Sequence, residues 1–134
     1  MGDAVYEQLV REMLVLKNGT MPADKLHRSA VKWVRAATQA KMADILIDGF
    51  DETELAIYKR GRNANSIKAP KNSSPSDYRK ATGLEALFGY LYLEKKMDRI
   101  NELFAVISQN MELLNSEVEK NDKDAKNSKN EKMV

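Results

Sequence analysis

Ala81-Thr82-Gly83-Leu84-Glu85-Ala86-Leu87-Phe88-Gly89-Tyr90-Leu91-Tyr92-Leu93 is the most apolar run in a chain of 134 residues. Leu84, Leu87, Phe88 and Leu91 recur at helical spacing, which predicts a buried helix. The run holds a single carboxylate, Glu85. On a helix Glu85 faces Ala81 and Thr82 behind it and Phe88 and Gly89 ahead of it. All but Phe88 are small, so the carboxylate is expected in a notch that a cation or a substrate can enter. A buried, ionised carboxylate is costly unless something compensates it. An ion pair with Arg or Lys from another helix is one solution and a metal ion is the other. Judged from this helix alone, the ion pair is the commoner of the two.

Working outward, the other elements also read as helices. Toward the N-terminus, Val5, Leu9, Met13 and Leu16 form an apolar stripe that Tyr6 and Val10 widen, and Asn18-Gly19 ends it. Pro22 opens a second helical region, in which Leu26, Ala30, Trp33 or Val34, Ala37, Ala40, Ala43 and Ile47 keep the period. That region is too long for one helix of a small domain, so a break is expected near Ala36 to Thr38. Asp51-Glu52-Thr53-Glu54 has the form of a capping box ahead of Leu55, Ile57 and Tyr58. From Arg62 to Ser76 no apolar period survives, and Ser76 or Asp77 is expected to cap the central helix. After it, Ile100, Leu103, Phe104, Ile107, Met111 and Leu114 mark a last helix. No strand pattern or repeat is visible. The expected fold is all-α, with five to seven helices around a central buried helix at about 78–95. The expected domain spans 1–118, and 119–134 reads as a disordered polar tail.

Composition narrows the chemistry. Apolar residues make up 43% and charged residues 31%, as in a soluble globular protein. There is no cysteine, which excludes disulfides, zinc–thiolate sites, iron–sulfur clusters and thiol nucleophiles. One histidine cannot build a histidine metal cluster. Any metal must be held by oxygen, which favours magnesium (Mg2+) or manganese (Mn2+) over zinc. No apolar run approaches the roughly 20 residues of a membrane span, and no secretory signal opens the chain. A cytoplasmic protein without a membrane partner is expected. The net charge of +2 does not announce a nucleic-acid partner, so the distribution of charge must decide.

Asp3 and Glu85 are the carboxylates to pair, each on a predicted helix beside small residues. Two such carboxylates can hold one hydrated magnesium ion, which keeps several waters. Asp3 also suits an N-cap, worth about 1 kcal/mol, and the two roles are compatible. Glu7 is a further candidate ligand, against a surface pair with Arg11 worth roughly 0.3–0.5 kcal/mol. His27 lies among charged residues, where a lone histidine is most often plain surface. The long segment after Tyr58 carries Lys59, Arg60, Arg62, Lys68 and Lys71, with Asn63 among them and no acid before Asp77. A long basic loop reads either as a solvated loop or as an RNA-binding one, and its length favours the second.

Taken together these residues resemble a known family. Gly2-Asp3-Ala4-Val5-Tyr6-Glu7 is similar to the end of the signature motif of ribonuclease III catalytic domains. Ala81 to Leu93, with Glu85-Ala86-Leu87 and then Gly89, resembles their second motif. Lys59-Arg60-Gly61-Arg62-Asn63-Ala64, Pro70-Lys71-Asn72 and Tyr78-Arg79 look like the small Mini-ribonuclease III branch, as do Leu26-His27, Val34, Ala36, Gln39 and Ala40. The resemblance runs from Gly2 to about Ala105. It implies an all-helical homodimer that cleaves double-stranded RNA with magnesium, usually in maturing large-subunit ribosomal RNA precursors. Asp3 and Glu85 fall on the family's two central catalytic, metal-binding carboxylates. The larger enzymes carry another aspartate three residues before the glutamate; here that position is Thr82, as in the small branch. The helix that leads into the aspartate in the family is not in this chain, so residues upstream of Met1 are expected. Two other functions fit the residues: a non-catalytic double-stranded-RNA-binding module, and a helical protein–protein domain whose basic loop meets an acidic partner.

Overall fold

The structure is a computed structural model that describes residues 2–19, 21–64, 69–71 and 74–113. Its helices are α1 (Gly2–Asn18), α2 (Ala23–Val34), α3 (Ala36–Leu46), α4 (Glu52–Arg62), α5 (Pro75–Leu93) and α6 (97–113), with a single 3-10 turn at Ile47–Gly49 before α4. Among the described residues there is no strand, as the sequence predicts. The tail at 119–134, with the boundary drawn for it, lies outside the described residues, as does Leu114.

α5 is the axis, and α1, α3 and α4 all pack on it. Leu84, Leu87 and Phe88 are fully buried, and Leu91 nearly so. The helix starts earlier than the 78–95 expected. Ser74 Oγ accepts from the Asp77 backbone N–H at 3.4 Å, and Pro75 takes the first helical position. The cap is therefore Ser74, not Ser76 or Asp77. Proline at N1 has no N–H to leave unsatisfied and a φ already suited to the helix. The irregular segment likewise begins one residue late, because Arg62 is still helical.

α1 buries Tyr6, Val10, Met13 and Leu14, with Val5 and Leu9 at the margin. The expected stripe is thus rotated by about one residue, and Leu16 is 85% exposed. The Tyr6 ring explains the rotation. It meets Phe88 edge-on at 5.6 Å and Phe104 at 6.2 Å, tying α1 to α5 and α6 at once.

The break in the second helical region falls at Arg35, whose ψ of 146° is extended. That swing deprives nearby carbonyls of their helical partners. Side chains supply replacements: Thr38 Oγ1 donates to Lys32 O at 3.1 Å and Gln39 Nε2 to Val34 O at 2.8 Å. Trp33, buried just before the bend, has the Lys32 ammonium 5.0 Å from its ring centroid.

The capping box forms as the sequence predicts. Asp51 Oδ1 accepts from Glu54 N–H at 2.8 Å, and Glu54 Oε1 accepts from Asp51 N–H at 2.9 Å. Glu54 also takes two bonds from Arg99 on α6, at 2.8 and 2.9 Å, and Arg99 reaches Gly49 O at 2.7 Å. One residue therefore caps α4 and anchors α6. No helix among the described residues is long and apolar enough to cross a membrane.

Candidate active site

The site is made by a contact between two backbones. Gly2, at the start of α1, lies so close to α5 that a Cβ there would overlap the Glu85 carbonyl oxygen. The α5 side of the contact is Gly89, where a Cβ would stand 3.3 Å from Gly2 Cα. On its Gly89 side, the notch expected to be open beside Glu85 is occupied by the first turn of α1. Only glycine permits this approach on the α1 side.

The contact brings Asp3 next to Glu85, and the Asp3 charge acts on the Glu85 carboxyl. Burial is the larger influence and pushes the Glu85 pKa above the ordinary carboxylate range. The polar Gln39 side chain opposes it, and Asp3 adds to the rise. Asp3 differs. It is exposed, and its Oδ1 accepts from the Ala4 backbone N–H at 2.9 Å, which holds its pKa down. Asp3 stands inside the first turn of α1 and bonds the adjacent amide, so the expected N-cap role is not the one it takes. Among the described residues no Lys or Arg forms a salt bridge with Glu85. The ion-pair solution for its charge is therefore not used there.

Two buried polar groups border the Glu85 carboxylate, and neither is evident in the sequence. Gln39 on α3 is 3% exposed, and its Oε1 has no hydrogen-bond partner. Tyr6 on α1 is 1% exposed with an unpartnered Oη, and burial followed by the Glu85 charge raises its pKa. Glutamine and tyrosine at helical positions read from sequence as surface and core. Only the setting of Gln39 among Ala36, Ala37 and Ala40 hints that it faces another helix.

Glu7 lies one turn beyond Asp3 and is taken up by Arg11, whose Nη2 donates to it at 2.9 Å. Arg11 Nη2 also stands 3.2 Å from His27 Nδ1, so α1 and α2 share a polar chain at the surface. In the basic segment Lys59 and Arg60 are exposed, as are Asn63 and Lys71; Lys68 lies outside the described residues. Arg62 is different. Its guanidinium covers the Tyr58 ring at 5.5 Å and its Nε donates to Asn63 Oδ1 at 3.1 Å. Tyr58 in turn abuts Gly83, where a Cβ would fall 2.7 Å from the Tyr58 carbonyl oxygen. The end of α4 is thus pressed onto the helix that carries Glu85.

As to metal, no group of three or more His, Cys, Asp or Glu side chains gathers among the described residues. The exposed Asp3 beside the half-buried Glu85 fits a cation that keeps most of its water and takes one or two protein oxygens.

Residues 1–96 match the sequence profile of the Ribonuclease III domain, a class of endoribonucleases. The chain is 43% identical over 103 residues to Mini-ribonuclease 3 of Symbiobacterium thermophilum, covering 77% of this chain and 78% of that one. It is 41% identical over 113 residues to Mini-ribonuclease 3 of Streptococcus pneumoniae, covering 83% and 88%. A crystal structure of a protein from Fusobacterium nucleatum superposes with a TM-score of 0.72 at 28% identity, covering 82% of this chain and 87% of that one. The chain therefore belongs to the ribonuclease III family, in its Mini-ribonuclease III branch, and is an endoribonuclease.

Proposed function

We propose that this endoribonuclease cleaves double-stranded RNA with a divalent cation held by Asp3 and Glu85. The observation that carries the reading is the Gly2–Gly89 contact. It brings an exposed carboxylate to the neighbourhood of a half-buried one, with no cationic side chain salt-bridged to the half-buried one among the described residues. Magnesium suits the pair, and manganese is the alternative. When bound, the ion supplies Lewis-acid polarisation of the scissile phosphate. Glu85 gives a fixed carboxylate from the floor of the site, and Asp3 gives one open to solvent. Glu7, engaged by Arg11, contributes negative charge from outside. Water attacks phosphorus, the bond to the 3′ oxygen breaks, and the products carry 5′-phosphate and 3′-hydroxyl ends. Lys59, Arg60, Arg62, Asn63, Lys68 and Lys71 meet RNA phosphates and riboses rather than the reacting bond. RNA's deep major groove hides base edges, so such a surface reads shape more than sequence. A homodimer would carry two sites along one duplex. The proposed substrate is a large-subunit ribosomal RNA precursor, and the proposed location is the cytoplasm. The test is cleavage of labelled RNA duplex with and without magnesium, on this chain and on Glu85→Gln. Cleavage is expected only with the metal and only with Glu85 intact. Cleavage by Glu85→Gln at the wild-type rate would sink the assignment of the site.

A further inference from the structure

Arg62 stands apart from the other cations of its segment because other side chains hold it. Beneath it lies Tyr58, one turn back on α4 and 1% exposed. That ring has little freedom of its own. On α5 a Cβ at Gly83 would fall 2.9 Å from its Cδ2 and Cε2, and Phe50 packs on it at 5.7 Å between ring centroids. The Arg62 guanidinium carbon lies 5.5 Å from the Tyr58 centroid, within the range of a cation–π contact. Arg62 Nε donates to Asn63 Oδ1 at 3.1 Å, so one edge of the guanidinium is held as well as one face. Arg11, Arg28 and Arg99 each form a salt bridge with a carboxylate, and among the described residues Arg62 forms none. Its Nη1–Nη2 edge is thus not taken by an acid. Arginine grips phosphate through paired, parallel N–H donors, which a lysine ammonium cannot reproduce. Ordering a long side chain weakens binding, and one already held avoids that cost.

We propose that Tyr58 is a positioning residue for RNA binding, which holds Arg62 as a preformed fork for one phosphate of the duplex. The inference rests on the reading of the substrate as double-stranded RNA met by the basic end of α4. Tyr58 itself, buried beneath Arg62, touches no RNA. Its platform is Gly83, two residues before Glu85, and Gly61 presses on the same stretch of α5, where a Cβ would stand 2.9 Å from Ala86 Cβ. The gripped phosphate is thereby set at one place relative to the helix that carries Glu85.

The rival explanation is that Tyr58 is plain core and Arg62 only its lid. Phe50→Leu is the control, because it loosens the packing of the same ring and leaves both ring and guanidinium in the protein. Dissociation constants for labelled duplex RNA are measured without magnesium at several salt concentrations. The proteins are wild type, Tyr58→Phe, Tyr58→Leu, Tyr58→Met, Arg62→Lys, Arg62→Ala, Phe50→Leu and Tyr58→Leu combined with Arg62→Ala. Circular dichroism checks that each is folded at the working temperature. Tyr58→Leu and Arg62→Lys are expected to bind roughly two- to tenfold more weakly, as for the ordering of one long side chain. The slope of log affinity against log salt should not change in either, because the charge is kept. Arg62→Ala should bind more weakly still and flatten that slope by about 0.9. Tyr58→Phe, which keeps the ring, should bind as wild type does. In the Arg62→Ala background Tyr58→Leu should add nothing, since the group it positions is gone. Phe50→Leu should lower Tm and leave affinity unchanged.

Wild-type affinity in Tyr58→Leu and Tyr58→Met, or in Arg62→Lys, with a loss in Arg62→Ala, overturns the proposal and leaves the RNA contact standing. Additive losses in the combined variant overturn it too, as does an equal loss in Phe50→Leu, since loosened packing would then explain the effect. Failure of both Tyr58→Leu and Tyr58→Met to fold also overturns it, because the ring would then serve the core. If Arg62→Ala binds the duplex as wild type does, the reading of Arg62 as an RNA contact falls and this proposal falls with it.

Discussion

Gly2 and Glu85 carry the chemistry's geometry between them. A methyl group at position 2 has nowhere to go, because the obstacle is backbone and not the end of a flexible side chain. Gly2→Ala should therefore push the start of α1 off α5 and carry Asp3 with it. A displacement of about 1 Å at a reacting centre can cost about 100-fold in rate. Single-turnover cleavage is expected to fall on that order, with a smaller loss in Tm. A wild-type rate in Gly2→Ala would mean that Asp3 keeps its place without the contact. Glu85→Gln tests the other partner. The amide is nearly isosteric and removes a half-buried charge, so Tm is expected to hold or rise while cleavage is lost. A clear drop in Tm would show that the charge has a structural partner.

At the scale of elements, the junction of α4 with α6 depends on Glu54. Arg99 is the main cause of its lowered pKa, with burial acting against it. A carboxylate depressed in the folded state adds stability that is full above its ordinary pKa of 4.5 and drains away as pH falls through the lower folded value. Urea unfolding should show wild type losing stability across that acid window. Glu54→Gln should start lower at neutral pH, by about 1.5–3 kcal/mol for hydrogen bonds to a charged group, and should lose less on acidification. Parallel pH profiles for the two proteins would refute this. The same junction separates what is legible in sequence from what is not. Asp51-Glu52-Thr53-Glu54 is a local pattern, and the box forms as that pattern predicts. Arg99 is invisible beside it, because a partner 45 residues away leaves no periodic mark. The central helix is legible in Leu84, Leu87, Phe88 and Leu91, since burial repeats with the helix. Its start is ambiguous because Ser76 and Asp77 both have capping side chains. Ser74-Pro75 carries the better signal, a cap followed by proline at N1. Asp3 and Glu85 can be paired from motifs, but the backbone contact that joins them cannot be read there. Neither can Gln39, whose amide is ordinary surface chemistry until α3 turns it inward.

The whole molecule keeps the basic end of α4 beside the helix that bears Glu85, yet the cations there are not equivalent. Lys59 and Arg60 stand in solvent, whereas Arg62 covers Tyr58. Every phosphate that the protein ceases to neutralise flattens the dependence of log affinity on log salt by about 0.9, taking duplex DNA as the guide. Replacing Lys59 and Arg60 together with alanine should lower the slope by about 2 per segment if both touch phosphate, with Tm unchanged and the saturated rate largely kept. Arg62→Ala should instead lower Tm as well as affinity, because it uncovers an aromatic ring. Titrations of duplex RNA at several salt concentrations, using protein without magnesium, separate the two. An unchanged slope in the double variant would put the duplex on another face.

Trp33 gives this small enzyme a built-in optical probe. It is the only tryptophan in the chain, it is 8% exposed, and it sits two residues before the extended Arg35. Its fluorescence should be blue-shifted in the native protein and move to the red on denaturation. Because an ammonium group lies over the indole, its intensity should also respond to small changes in the angle between α2 and α3. No label is needed to follow that angle in real time, and the emission reports on it without sensing cleavage itself.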